Sequence, residues 1–154
     1  MKMMKVLSEK VSRGHEPLPA ISCRMTVREA AVFMSEKRIG ATLAETPEVP
    51  GRFVGIVTER DIMKACAQNM DLDRTTVEQI MSREMIVAGT EDLVRPVIAL
   101  MTRNHIRHIP LKDGEQIVAL ISIRDIMHAV DEEKNITINE LSDYLGCNSR
   151  NQVY

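Results

Sequence analysis

The sequence predicts an α/β fold made of two tandem β-α-β-β-α units, arranged as a pseudo-two-fold pair within one chain and flanked by short terminal helices. Three observations carry that prediction. VTERDIMKA at residues 57–65 returns as ISIRDIMHA at residues 121–129, an offset of 64. Upstream, Met34 and Ile39 have counterparts in Met101 and Ile106 at an offset of 67, so a whole unit recurs rather than one motif. The composition, 44% hydrophobic and 27% charged, is that of a soluble globular chain with enough apolar side chains for a core.

The first unit spans residues 19–67 and opens on a short strand. Val27–Met34, VREAAVFM, places apolar residues at helical spacing, and Thr26 can cap that helix. IGATLA (39–44) reads as a strand, and ETPEVPGR (45–52), with its prolines and glycine, as a loop. FVGIV (53–57) is a second strand, and a helix begins at Thr58. A linker over 68–83 follows, in which TTVEQIM (75–81) contributes a short helix.

The second unit, residues 84–131, repeats the order. MIVA (85–88) is the leading strand, DLVRPVIALM (92–101) the helix, IRHIPL (106–111) and QIVALI (116–121) the paired strands, and KDGE (112–115) their tight turn. That turn and the strand after it are together three residues shorter than the proline-rich loop and its strand, which accounts for the fall in offset from 67 to 64. Residues 132–154 form a helical extension and tail, with ITINELSDYLG as an amphipathic helix, and Met3–Leu7 forms another packed piece. One unit alone has too small a core, whereas two packed through their sheets bury more and leave a cleft on the pseudo-two-fold.

Several functional classes are disfavoured. A formal net charge of -2 gives no general attraction to nucleic acid or anionic lipid. The charged N-terminus MKMMKVLSEK lacks the apolar run of a signal peptide, and no stretch is long enough to span a bilayer. Cys23, Cys66 and Cys147 are widely spaced and read as thiols in a reducing cytoplasm, not as a disulfide scaffold. His105 and His108 straddle a helix-to-strand change with no nearby cysteine or carboxylate set to complete a zinc site. His15 and His128 have no stronger case as ligands.

The duplicated strand-to-helix corner is the functional clue. Thr58 and Ser122 end their strands, and Asp61 and Asp125 follow three residues later. Helix-start amides can receive an anion, the hydroxyl can donate to a phosphate oxygen, and the carboxylate can accept from paired ribose hydroxyls. The same pattern is also a capping box, and the two roles are compatible. Arg60 and Arg124 precede the aspartates, and Arg107 and His108 lie in the second unit's IRHIP strand. A guanidinium there can make paired contacts with phosphate. Gly40–Ala41 occupy the corresponding positions in the first unit, so the two pockets are expected to differ.

These residues carry a resemblance. GIVTERDIMKA, ALISIRDIMHA and MTRNHIRHIPL make residues 19–131 similar to a tandem pair of cystathionine-beta-synthase-type (CBS) domains. The chain resembles in particular small stand-alone bacterial regulatory proteins of that kind, and ITINELSDYLG fits their ending. The resemblance implies a regulatory module that senses an adenine nucleotide or related adenosyl compound between the repeats. AMP is the first candidate, with ATP, NAD and S-adenosylmethionine as others, and no cofactor is required. It implies that Thr58 with Asp61, and Ser122 with Asp125, engage phosphate and ribose, while Ile21, Ser22, Ile86 and Val87 surround adenine. Ala119 departs from the glycine represented by Gly55 and is expected to crowd the second pocket or alter its ligand. A face-to-face homodimer and an unidentified protein target complete the implied partners, without nucleic acid or membrane.

Two other functional classes stay open. Asp61 and Asp125 meeting across a cleft could do acid/base or metal-assisted chemistry, but no nucleophile, base and oxyanion set accompanies them, and GRFVG is not a phosphate loop. The expectation is therefore no catalytic residue, no metal and no enzyme. A module that only dimerises or binds a protein through its helical face would need neither aspartate for ligand recognition.

Overall fold

The computed structural model of the protein describes residues 4–12 and 18–132. The expected helix over 136–146, together with His15 and Cys147, lies outside the described residues. The chain runs through α1 (Met4–Ser12), β1 (Ala20–Ser22), α2 (Val27–Lys37), β2 (Ala41–Glu45), β3 (Phe53–Thr58), α3 (Glu59–Ala67) and the linker helix α4 (Val77–Ile80). The second repeat follows as β4 (Ala88–Gly89), α5 (Val94–Arg103), β5 (His108–Asp113) and β6 (Gln116–Ser122). A last helix, α6, occupies residues 123–132.

The repeats form two three-stranded sheets of identical plan, β1-β2-β3 and β4-β5-β6. In each, the short first strand pairs parallel to the middle strand, which pairs antiparallel to the third. This is the predicted pseudo-two-fold pair. The middle strand β2 is buried along Ala41–Ala44 because it has a neighbour on both sides, whereas β3 alternates in burial. Thr26 caps α2 reciprocally: its hydroxyl accepts the Glu29 amide at 3.2 Å, and Glu29 accepts the Thr26 amide at 2.8 Å. The helix ends at its C-cap Arg38, in the left-handed region at φ 55°, whereas α5 passes through its C-cap Asn104 at φ -96° and turns left-handed one residue later, at His105, φ 52°.

Two sequence expectations are corrected. The leading strand of the second repeat is Ala88–Gly89 rather than 85–88, because Ala88 and Gly89 are the residues that pair with Leu111 and Lys112 of β5. Ile86 and Val87 therefore precede the strand. The turn in KDGE is also shorter than expected. Lys112 and Asp113 stay in β5, and Asp113 pairs with Gln116, leaving Gly114 and Glu115 as a two-residue loop. Gly114 makes that possible by taking φ 58°.

Each core is completed by a segment that precedes the other repeat. The first core gathers Ile21, Cys23, Ala30, Ala44 and Val57 under Val77 and Met81 of the linker. The second gathers Val97, Met101, Ile109, Leu111, Ile121 and Ile126 under Met4 and Leu7 of α1. Main-chain bonds fix α1 there: the Met4 amide donates to Asp92 O at 2.9 Å and the Lys5 amide to Thr90 O at 2.7 Å. Neither repeat closes its core from its own residues alone: one needs the linker and the other α1.

Candidate functional site between the repeats

Each repeat builds the same corner. In the first, Ala41 at the start of β2 lies opposite Thr58 at the end of β3, and in the second His108 lies opposite Ser122. The helix that follows is tied back to the residue just before the middle strand. The Glu59 amide donates to Gly40 O at 3.1 Å, and the Ile123 amide to Arg107 O at 2.8 Å. Those two amides are thus engaged within the fold and not free for an anion.

The paired hydroxyl and carboxylate are in contact in both copies. Asp61 Oδ2 accepts the Thr58 amide at 2.8 Å and the Thr58 hydroxyl at 2.9 Å. Asp125 Oδ2 accepts the Ser122 amide at 2.8 Å and its hydroxyl at 2.5 Å, while the Asp125 amide donates to Ser122 Oγ at 3.2 Å. The capping role is therefore present in both corners. All four side chains stay partly open to solvent. Each contact uses only one carboxylate oxygen, so Oδ1 remains able to accept from a sugar hydroxyl.

A cavity of about 270 Å³ lies against the first corner and is walled by both repeats. Typical small-molecule pockets hold roughly 300–1,000 Å³, so its size suits a compact ligand. Thr58 lines it from the end of β3, Arg60 and Asp61 from α3, Ile86 from the approach to β4, and Arg107 and His108 from the start of β5. These predicted residues come from three separate stretches of chain and meet here. Glu59, Lys64, Ser82, Glu84, His105 and Pro110 also line it, and sequence reasoning did not assign them to a ligand. Arg60 spans the repeats, its Nη1 donating to His105 O at 3.1 Å.

His108 occupies the junction of the two corners. A methyl group on Gly40 would stand 3.0 Å from His108 Cε1 and 3.4 Å from Glu59 Oε2, so the ring of one repeat lies over the glycine of the other. Burial holds the His108 imidazole below its ordinary pKa, and the Arg107 charge pushes it further down. The carboxylates of Asp125 and Glu59, one from each repeat, act in the opposite direction.

The remaining predicted residues lie elsewhere. Ser122, Asp125 and the exposed Arg124 form the second corner and are not in the walls of this cavity. The counterparts there of Ser82 and Glu84, offset by 67, are residues 15 and 17, outside the described residues. Ile21 is buried in the first core, and the Ser22 hydroxyl accepts the Arg24 amide at 3.2 Å. Val87 faces a different groove, with Leu18, Phe53, Met85 and Ile117 between the two hairpins. Register gives the reason. Ile21 pairs with Ala44 as Ala88 does with Leu111, so the true counterpart of Ile21 is Ala88, not Ile86. Ala119 is fully buried beside Leu111 in the second core and does not line the first-corner cavity.

Among the described residues, no group of three His, Cys, Asp or Glu side chains could hold a metal ion, and no helix is long and apolar enough to cross a membrane.

Residues 12–68 and 77–132 each match the family model described as CBS domain. A curated relative, the mitochondrial CBS domain-containing protein CBSX3 of Arabidopsis thaliana, is 32% identical over 123 residues, 78% of this chain. The match spans 60% of that protein's length, less than two thirds of it. Among solved structures, the CBS domain protein PAE2072 from Pyrobaculum aerophilum, complexed with AMP, superposes with a TM-score of 0.70 at 29% identity, over 80% of this chain and 89% of that one. The CBS domain pair of protein MJ0100, in complex with 5′-methylthioadenosine and S-adenosyl-L-methionine, gives 0.71 at 25% identity, over 86% and 98% of the two chains.

Proposed function

The chain belongs to the CBS domain family, and on that premise we propose that it is a non-enzymatic regulatory module that binds an adenosyl ligand, AMP first among the candidates, in the cavity between its repeats. The observation that carries the reading is the convergence of Thr58, Arg60, Asp61, Ile86, Arg107 and His108 from both repeats on one cavity of about 270 Å³. Two related structures bound to AMP, or to 5′-methylthioadenosine and S-adenosyl-L-methionine, support the ligand class.

The roles follow from the chemistry of each group. Arg107 and Arg60 supply fixed positive charge for a phosphate, and His108 adds a ring nitrogen. The Thr58 hydroxyl donates its single proton to Asp61 in this structure, so it reaches a phosphate by rotating away from that carboxylate. Asp61 accepts the ribose hydroxyls through its second oxygen, and Ile86 gives apolar contact to the base. Ser122, Asp125 and Arg124 form a second, unequal half-site. ATP, NAD and S-adenosylmethionine are the competing ligands. A homodimer packed through helical faces, an unidentified protein target and a cytoplasmic setting complete the proposal.

Signalling in this reading is a matter of differential affinity. A ligand touching α3 of one repeat and β5 of the other stabilises the relative orientation that fits it best, and only that difference can be passed to a partner. The test is calorimetric titration of AMP into protein freed of co-purified nucleotide. A saturable isotherm that Asp61→Asn weakens supports the sensor. Absence of heat at several temperatures refutes AMP.

A ligand-independent interaction module is the second reading, favoured by one observation: both aspartates already serve their own helix caps. In that case, Asp61→Asn changes stability alone and leaves binding of every adenosyl compound equally undetectable.

A further inference from the structure

The cavity carries a charge pattern that bears on which phosphorylated ligand it accepts. Arg60, Lys64 and Arg107 line it with fixed positive charge, and Glu59, Asp61 and Glu84 line it with carboxylates. The walls are therefore balanced in charge, which suits one phosphate group better than a chain of them. The carboxylates are not equivalent. Asp61 is engaged by the Thr58 amide and hydroxyl. Glu59 is an exposed side chain immediately after Thr58, and its Oε2 approaches the spot above Gly40 that the His108 ring also approaches, at 3.4 Å against 3.3 Å for His108 Nε2. A carboxylate thus stands close to the His108 ring, one of the groups that would receive a phosphate.

We infer that Glu59 is a specificity residue that restricts the first corner to ligands bearing a single phosphoryl group, by placing a negative charge where a second and third would extend past His108 and Arg107. The inference rests on the adenosyl-ligand reading above. Two unit charges a few ångströms apart near a protein surface repel strongly enough to alter affinity by an order of magnitude, even after screening. The second repeat has Ile123 at the position of Glu59, so its corner lacks this carboxylate and would not discriminate in the same way. Glu59 is exposed and its amide tie to Gly40 O belongs to the main chain, so Glu59→Gln keeps the fold.

The test is the ratio of dissociation constants for AMP and ATP, titrated separately in metal-free buffer at constant ionic strength, for wild type, Glu59→Gln and Glu84→Gln. Wild type is expected to favour AMP by about tenfold or more, and Glu59→Gln to narrow that ratio by about fivefold to tenfold through tighter ATP binding. Equal binding of AMP and ATP by wild type overturns the inference while leaving the adenosyl-ligand reading intact. An unchanged ratio in Glu59→Gln does the same. If Glu84→Gln narrows the ratio as much as Glu59→Gln, total charge rather than this position sets selectivity, and the assignment to Glu59 falls. Failure of wild type to bind either nucleotide overturns the underlying reading and this inference with it.

Discussion

Gly55→Ala tests how the linker is held against the first repeat. Gly55 faces the linker where it crosses the edge of β3. A methyl added there would stand 2.6 Å from Met81 Sδ, 2.9 Å from Met81 Cγ and 2.9 Å from Ser82 O. Met81 can turn aside, but Ser82 O is main chain and receives the Ile56 amide at 3.0 Å, while the Ser82 amide donates to Ile56 O at 2.9 Å. Alanine must therefore push the linker off the strand. Overpacking a filled site costs about 1–3 kcal/mol. Each main-chain bond lost adds roughly 0.5–1.5 kcal/mol, and alanine's lower chain entropy in the unfolded state returns less than about 1 kcal/mol. The expected net destabilisation is about 3 kcal/mol, read by urea unfolding followed by far-UV circular dichroism. The reverse change at the matching site, Ala119→Gly, is expected to cost only about 1 kcal/mol. Since Ser82, Glu84 and Ile86 wall the cavity, Gly55→Ala should also weaken AMP binding. A Gly55→Ala protein within about 0.5 kcal/mol of wild type at the same m-value would refute the claim that linker contact dictates glycine here.

Three further outcomes are expected. Arg107→Ala should weaken AMP binding by about tenfold or more, the loss of a charge-assisted contact, with little change in urea midpoint because its side chain is exposed; titration calorimetry checks both halves against the melts. Gly40→Ala should displace the His108 ring, whose Cε1 lies 3.0 Å from the added methyl, and should lower AMP affinity while Gly51→Ala, with nothing within 4 Å, leaves it unchanged. His108 is held below its ordinary value of 6.5 mainly by burial, so its neutral form stabilises the folded state above that value and the contribution is lost as pH falls from 6.5 through the folded pKa. His108→Gln should accordingly flatten the stability profile as pH falls below 6.5, measured by urea midpoints in constant salt.

The sequence made the repeat legible because the corner is where two periodicities meet. A strand ending in Thr58 or Ser122 and a helix opening three residues before an aspartate leave the same mark twice, and short-range hydrogen bonds decide both. The leading strand of the second repeat was less legible. MIVA is apolar throughout, so hydrophobicity cannot say which of its residues pair, and the register is set by Leu111 on a distant strand. Glu59, Lys64 and Glu84 escaped notice for a related reason: a charged residue on an exposed turn of helix or linker looks like a solvated face until a second repeat closes over it. The placement of α1 was equally hidden. Its apolar residues announced a packed piece, but the bonds from the Met4 and Lys5 amides to Asp92 O and Thr90 O are what tie it to the second core and not the first.

The junction at His108 explains why two nearly identical halves need not behave alike. His108 pairs with Ser122 in its own sheet and lays its ring over Gly40 of the other. Had the first repeat carried an arginine and a histidine at Gly40–Ala41, as the second does at Arg107–His108, two bulky basic pairs would crowd the same axis. The glycine on one side makes room for the histidine on the other, whose ring would have to shift if Gly40 carried a side chain. The cavity at the first corner draws its walls from both halves: Thr58 and Asp61 from one, Arg107 and His108 from the other. In the proposed reading, a ligand bound there would sense the distance between repeats directly, because moving the repeats apart would remove the contacts made by one of them. That dependence would supply the difference in affinity between arrangements that a regulatory module requires, and it would reside in the asymmetry of the pair rather than in the motif that the two copies share.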